Sequence, residues 1–161
     1  MTDAEMKLDS FVLDGIWIGR LNAPWLGGET HSIVDAADSG IDDMQRDCMR
    51  VACTRDAETL DALKIRLFDE YQNEIYGSIT AYKTAGTEID FHELTPVIKS
   101  PEQLWAILSE TTINIPPVHR LTDNCCFAVS FECPWDEEHG ISVLFDRSGT
   151  PTDVGGYGDN F

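Results

Sequence analysis

Within residues 133–140, Cys-Pro-Trp-Asp-Glu-Glu-His-Gly, one cysteine, three carboxylates and one histidine fall in eight positions. Three kinds of chemistry suit such a set. A metal site would draw on Cys133, His139 and a carboxylate, but it needs three or four ligands held in fixed directions. No HExxH, paired CxxC or calcium-loop spacing accompanies them, so the sequence predicts neither metal nor cofactor. An acid–base enzyme would use Asp136, Glu138 or His139, yet the chain has no GxSxG, Walker loop or GxGxxG to support it. The glycines of 155–158 lack the strand-to-helix setting of a phosphate loop, and no catalytic residue is assigned. In the third reading the segment organises itself as a six-residue hairpin loop. Asp136 caps backbone N–H groups, His139 pairs with a neighbouring carboxylate, and Trp135 lids the sheet edge. The motif residues are then Trp135, Asp136, Glu138, His139 and Gly140.

Two strands must carry this loop. Residues 124–133 alternate, with Phe127, Val129, Phe131 and Cys133 on one face and Cys126, Ala128, Ser130 and Glu132 on the other. Ile141, Val143 and Phe145 then share a face of the next strand. Pro134 stops the first strand and Gly140 frees the start of the second. Residues 150–156 return as a short final strand, and 111–117 form a strand closed by two prolines.

The first third is also β. Phe11–Leu13 and Ile16–Leu21 flank an Asp14-Gly15 hairpin signal, with Ile16 and Ile18 on one face and Trp17 and Leu21 on the other. A third strand covers 30–36. The helices lie between. Ile41, Met44, Cys48 and Val51 predict one buried stripe, with Asp42 or Asp43 at the helix start. Leu60, Leu63, Leu67, Tyr71, Ile75, Ile79 and Tyr82 predict a long helix from about Asp56, which Gly77 ends or bends. Ser100, Pro101 and Gln103 are a complete start signal for a short third helix. The order predicts an α+β fold: a single domain at 11–161, a mostly antiparallel sheet and about three helices packed on one side, after a flexible N-terminus at 1–10.

The whole composition sets the partners. The 161 residues are 42% hydrophobic and 25% charged, ordinary for one globular domain. Eleven basic against 29 acidic residues give a net charge of −18, which repels nucleic acid and anionic membranes and attracts a basic protein. With no signal-like start and no long apolar run, the expected compartment is the cytoplasm. Five cysteines, an odd number, are expected to stay reduced. Trp25 and Trp135 sit in predicted loops, where an aromatic is a candidate partner anchor.

The stretch Phe131–Phe145, with Thr152–Gly156 and the final Asp159-Asn160-Phe161, resembles a family of uncharacterised bacterial domains. In that family a strand ends in a Trp-Asp-x-Glu-His-Gly turn and a short return strand carries Val-Gly. The Trp17-Ile18-Gly19 strand, Gln45, the Tyr71–Tyr76 segment and Leu94–Leu104 follow the same pattern. Ser142 stands where the family usually has glycine. The resemblance implies a small, acidic, cytosolic binding protein without known catalysis. Some members lie near toxin genes, so it further implies an immunity protein that neutralises a basic toxin by occlusion. A metal-dependent or acid–base enzyme built on 133–140 and a non-catalytic scaffold or stress-related domain are the alternatives.

Overall fold

In the computed structural model, residues 6–36, 40–78 and 97–155 are described. Ile79, Tyr82, the 84–96 connector and the glycine-rich 156–161 lie outside them.

Seven strands form one sheet in chain order: β1 (Met6–Leu13), β2 (Ile16–Ala23), β3 (Gly28–Asp35), β4 (Ser109–Ile115), β5 (Phe127–Cys133), β6 (Asp136–Phe145) and β7 (Pro151–Gly155). Every neighbouring pair is antiparallel except β3 and β4, where His31 aligns with Thr112 and Val34 with Ile115. A parallel pair needs a long crossover, and the helices supply it. Among the described residues these are α1 (Asp43–Cys53), α2 (Ala57–Glu70) and α3 (Pro101–Trp105). The α+β architecture expected from sequence is the one observed. The N-terminal strand is longer than expected: β1 begins at Met6 and pairs with β2, so residues 6–10 are not a free tail.

The sheet has a helix-covered face and an outer face. Leu21, Val34, Ile113, Ile115, Phe127, Val129, Val143 and Phe145 are buried on the covered face. Phe127 and Phe145 stack with centroids 4.6 Å apart and planes 7° apart. Leu63 and Leu67 from α2, and Tyr71 directly after it, complete this core, all at 1% exposure or less. Their four-residue spacing keeps them on one side of the helix. At Tyr71–Ile75 the helix widens into a π turn. The break therefore comes before Gly77, which remains helical.

Among the described residues α1, α2 and α3 each start on a side-chain cap. Asp42 accepts from the Met44 N–H at 2.8 Å, Asp56 from Thr59 N–H at 3.0 Å, and Ser100 from Gln103 N–H at 3.2 Å. The Thr59 bonds hold the Asp56 carboxyl below its usual range. In α1 the buried positions are Gln45, Cys48, Met49 and Ala52, while Met44 is exposed. Of the expected Ile41–Met44–Cys48–Val51 stripe, Cys48 is buried and Ile41 and Val51 pack partly buried against the core, whereas Met44 is corrected to an exposed position. Gln45 turns inward because its amide serves three backbone groups. Nε2 donates to Asp35 O at 2.7 Å and Pro116 O at 3.0 Å, and Oε1 accepts from Asp42 N–H at 3.1 Å.

Trp25 is likewise corrected. Pro24 opens a 3-10 turn over Pro24–Leu26 that folds Trp25 into the core at 6% exposure. Its indole N–H donates to Ala52 O at 2.7 Å, and its ring meets Phe145 edge-on at 5.9 Å. Trp25 ties β2 to α1 and is not a surface anchor.

Candidate functional site

The 133–140 segment is tighter than a six-residue loop. Only Pro134 and Trp135 form the turn, and β6 starts at Asp136, which pairs with Cys133. The next paired residues are Phe131 and Ile141. Glu132 therefore faces four residues, Glu137–Gly140, in a wide bulge. Two local devices hold it. Asp136 Oδ1 accepts from the His139 backbone N–H at 3.0 Å and lies 3.1 Å from His139 Nδ1. Gly140 has φ +64°, and a Cβ there would sit 2.4 Å from Phe131 O. Only glycine lets the bulge close against β5 at that point.

The bulge sends its side chains to both sides of the sheet. Trp135 is half-buried on the covered side, with its ring 5.4 Å from Tyr71. With Asp136, Glu70, Ile75, Ile141 and Val154 it borders a hollow of about 200 Å³. Cys133 points into the core, where burial raises its thiol to about 11. Glu137, Glu138, His139 and Gly140 instead border a concavity of about 370 Å³ on the outer face.

That outer concavity is assembled from four strands and the bulge. Ile18 comes from β2, His31 and Ile33 from β3, Glu110 and Thr112 from β4, and Ser130 and Glu132 from β5. The β2–β3–β4–β5 register places these strands side by side: Arg20 beside His31, His31 beside Thr112, Thr112 beside Ser130. Beneath the surface, Asn114 Nδ2 donates to Ser130 Oγ at 2.7 Å, a buried bond that fixes this part of β4 against β5. Glu110, Glu132, Glu137 and Glu138 are exposed, and so is Ile18, at 44%. The result is a concavity with Ile18 and the half-buried Ile33 towards β2–β3 and four carboxylates towards β4, β5 and the bulge. A second hollow of about 340 Å³ shares Glu132 and Glu137 and continues past Ile107, Ser109 and Pro134.

Of the sequence-assigned motif residues, the structure therefore brings Glu138, His139 and Gly140 into one concavity and places Trp135 behind the sheet. Sequence reasoning missed His31, Glu110, Thr112 and Ser130. Their signal is the alternation in β4 of Thr112 and Asn114 with Ile113 and Ile115, which marks a polar outer face. Only the parallel β3–β4 pairing brings that face against His31.

Among the described residues no group of three or more His, Cys, Asp or Glu side chains converges as a metal ion requires. The His139–Asp136 pair is open to water, with side chains 61% and 40% exposed, and lacks the dry setting in which oriented groups do acid–base work. Among the described residues no helix is long and apolar enough to cross a membrane.

A seven-stranded α+β domain with an acidic, concave outer face is the class these features define. Residues 7–161 match the family model DUF6985, a domain of unknown function, and the chain belongs to that family. No curated protein and no solved structure matches it.

Proposed function

We propose that this protein is a binding protein for a basic partner, and that the outer concavity is where the partner docks. The observation that carries the reading is one concavity that joins four exposed glutamates to the exposed Ile18 and the half-buried Ile33, on a chain of net charge −18. Lysine or arginine side chains fit the carboxylates, and Ile18 and Ile33 take the aliphatic stems behind those charges. Long-range attraction speeds the encounter, and close contacts in the concavity set the lifetime. In its narrower form the reading is an immunity protein: a cytoplasmic inhibitor that occludes the basic substrate cleft of a toxin.

The test begins with capture of basic proteins from the native lysate and continues with kinetics across a salt series. The association rate falls about tenfold or more between ~0.02 M and ~0.5 M salt, with a smaller change in dissociation, because the screening length shrinks to a few ångströms. The Glu110→Lys, Glu138→Lys double variant keeps its melting temperature and loses most of that rate. A salt-indifferent association, or a double variant that binds like the parent, overturns the reading.

A further inference from the structure

Cys48 and Cys126 come from distant parts of the chain, 78 residues apart, and their Sγ atoms lie 2.9 Å from each other. Cys48 sits on the buried side of α1. Cys126 sits one residue before β5, on the side that meets α1 rather than with Ala128 and Ser130 as strand alternation predicts. Neither reaches solvent, at 0% and 1% exposure. Both backbones are pinned. The Cys126 N–H donates to Phe145 O at 2.9 Å, and one helical turn beyond Cys48 the Ala52 carbonyl is held by the Trp25 indole. All five cysteines are unbridged. A disulfide requires an S–S separation of about 2.05 Å, so the two sulfurs need to close by less than about 1 Å.

We propose that Cys48 and Cys126 form a disulfide-forming pair, a site where oxidation joins α1 covalently to the start of β5. The oxidant class is a small-molecule disulfide, RSSR. Either sulfur can attack first, since the two thiols share one hydrogen bond, and the order with Cys48 leading is equivalent to its reverse. The Cys48 thiolate displaces one RS⁻ and forms a Cys48–SR mixed disulfide. The Cys126 thiolate then attacks Cys48 Sγ and expels the second RS⁻. The two protein protons end on the two leaving thiols, so one RSSR is reduced to two RSH and one protein disulfide is formed. Because both sulfurs are covered, the reaction waits on a brief parting of α1 from β5. It is slow in buffer and faster in mild urea.

The experiment oxidises the full chain with glutathione disulfide, with and without mild urea. Remaining thiols are then alkylated in denaturant, and non-reduced peptides are mapped by mass spectrometry. The expected product is one intramolecular link between the peptide of Cys48 and that of Cys125–Cys126, with Cys53 and Cys133 alkylated. Since Cys125 and Cys126 share a peptide, Cys125→Ser assigns the bond: this variant keeps the link and Cys126→Ser loses it. The oxidised protein melts at a higher temperature than the reduced one, and dithiothreitol reverses the shift. A link that depends on Cys125, a glutathione adduct that persists on Cys48, or free thiols at both positions after oxidation in mild urea overturns the proposal.

Discussion

The rings of Trp135 and Tyr71 meet at 5.4 Å with their planes 58° apart, which joins the β5–β6 turn to the first residue of the π turn after α2. Tyr71 is fully buried and its burial raises the phenol pKa. Trp135 is its lid at the open end of the core. Removing the lid exposes apolar surface that neither element covers otherwise. Trp135→Ala lowers stability by about 2–3 kcal/mol, below the cost for a fully buried tryptophan because the ring is half-exposed. Trp135→Phe recovers much of that loss. Urea unfolding followed by far-UV circular dichroism measures both.

Gly140 holds the bulge shut. Any side chain there meets Phe131 O and adopts a left-handed backbone as well. Gly140→Ala costs about 2–3 kcal/mol. Its amide spectrum changes most at Glu137–His139 and at Phe131, and α1 is left undisturbed. An unchanged melting temperature contradicts the geometry.

Gln45 is polar, wholly buried and bonded at both ends. Gln45→Leu keeps the volume but leaves the Asp35 and Pro116 carbonyls without their donor. The expected loss is about 2–4 kcal/mol, from two buried acceptors together with one capping bond. Thermal unfolding of Gln45→Leu against the parent checks it.

Cys133 predicts an alkaline limit. Its thiol titrates near 11 when folded, and the ordinary value is 9.0. A raised folded pKa means that the neutral form is favoured by folding. The contribution is fully present below pH 9, and is lost as pH rises towards 11, because the unfolded chain ionises first. Cys133→Ala flattens this part of the stability curve. Native-state alkylation of Cys133 stays slow at pH 8, and mass spectrometry after iodoacetamide treatment reads it directly.

The strands were legible because alternation is a local property. Phe127, Val129, Phe131 and Cys133 share a face in sequence and in the fold. Hydrophobicity misled where a polar or aromatic residue had a partner far along the chain. Gln45 entered the core because carbonyls at Asp35 and Pro116 needed a donor, and beside it Met44 faces solvent although the apolar spacing had placed it inside. Trp25 looked like a loop residue until Ala52, 27 positions on, accepted its N–H. The site was half legible for the same reason. Asp136 and His139 are three residues apart and their bond could be read locally. Their neighbours His31, Glu110 and Ser130 are supplied by strand pairing, and the parallel β3–β4 join left no mark in any short window.

That parallel join also fixes where mechanical load would enter. With one same-direction pair among six, the start of β1 and the end of β7 lie at the same end of the sheet but on opposite edges, about 29 Å apart at the usual strand spacing. Tension applied across those two ends pulls sideways on the outermost strands. The hydrogen bonds of each edge ladder are then met in succession, like the teeth of a zip, instead of sharing the force in parallel. A domain strung this way yields from its rims inward, and the β3–β4 centre is the last part to feel the pull.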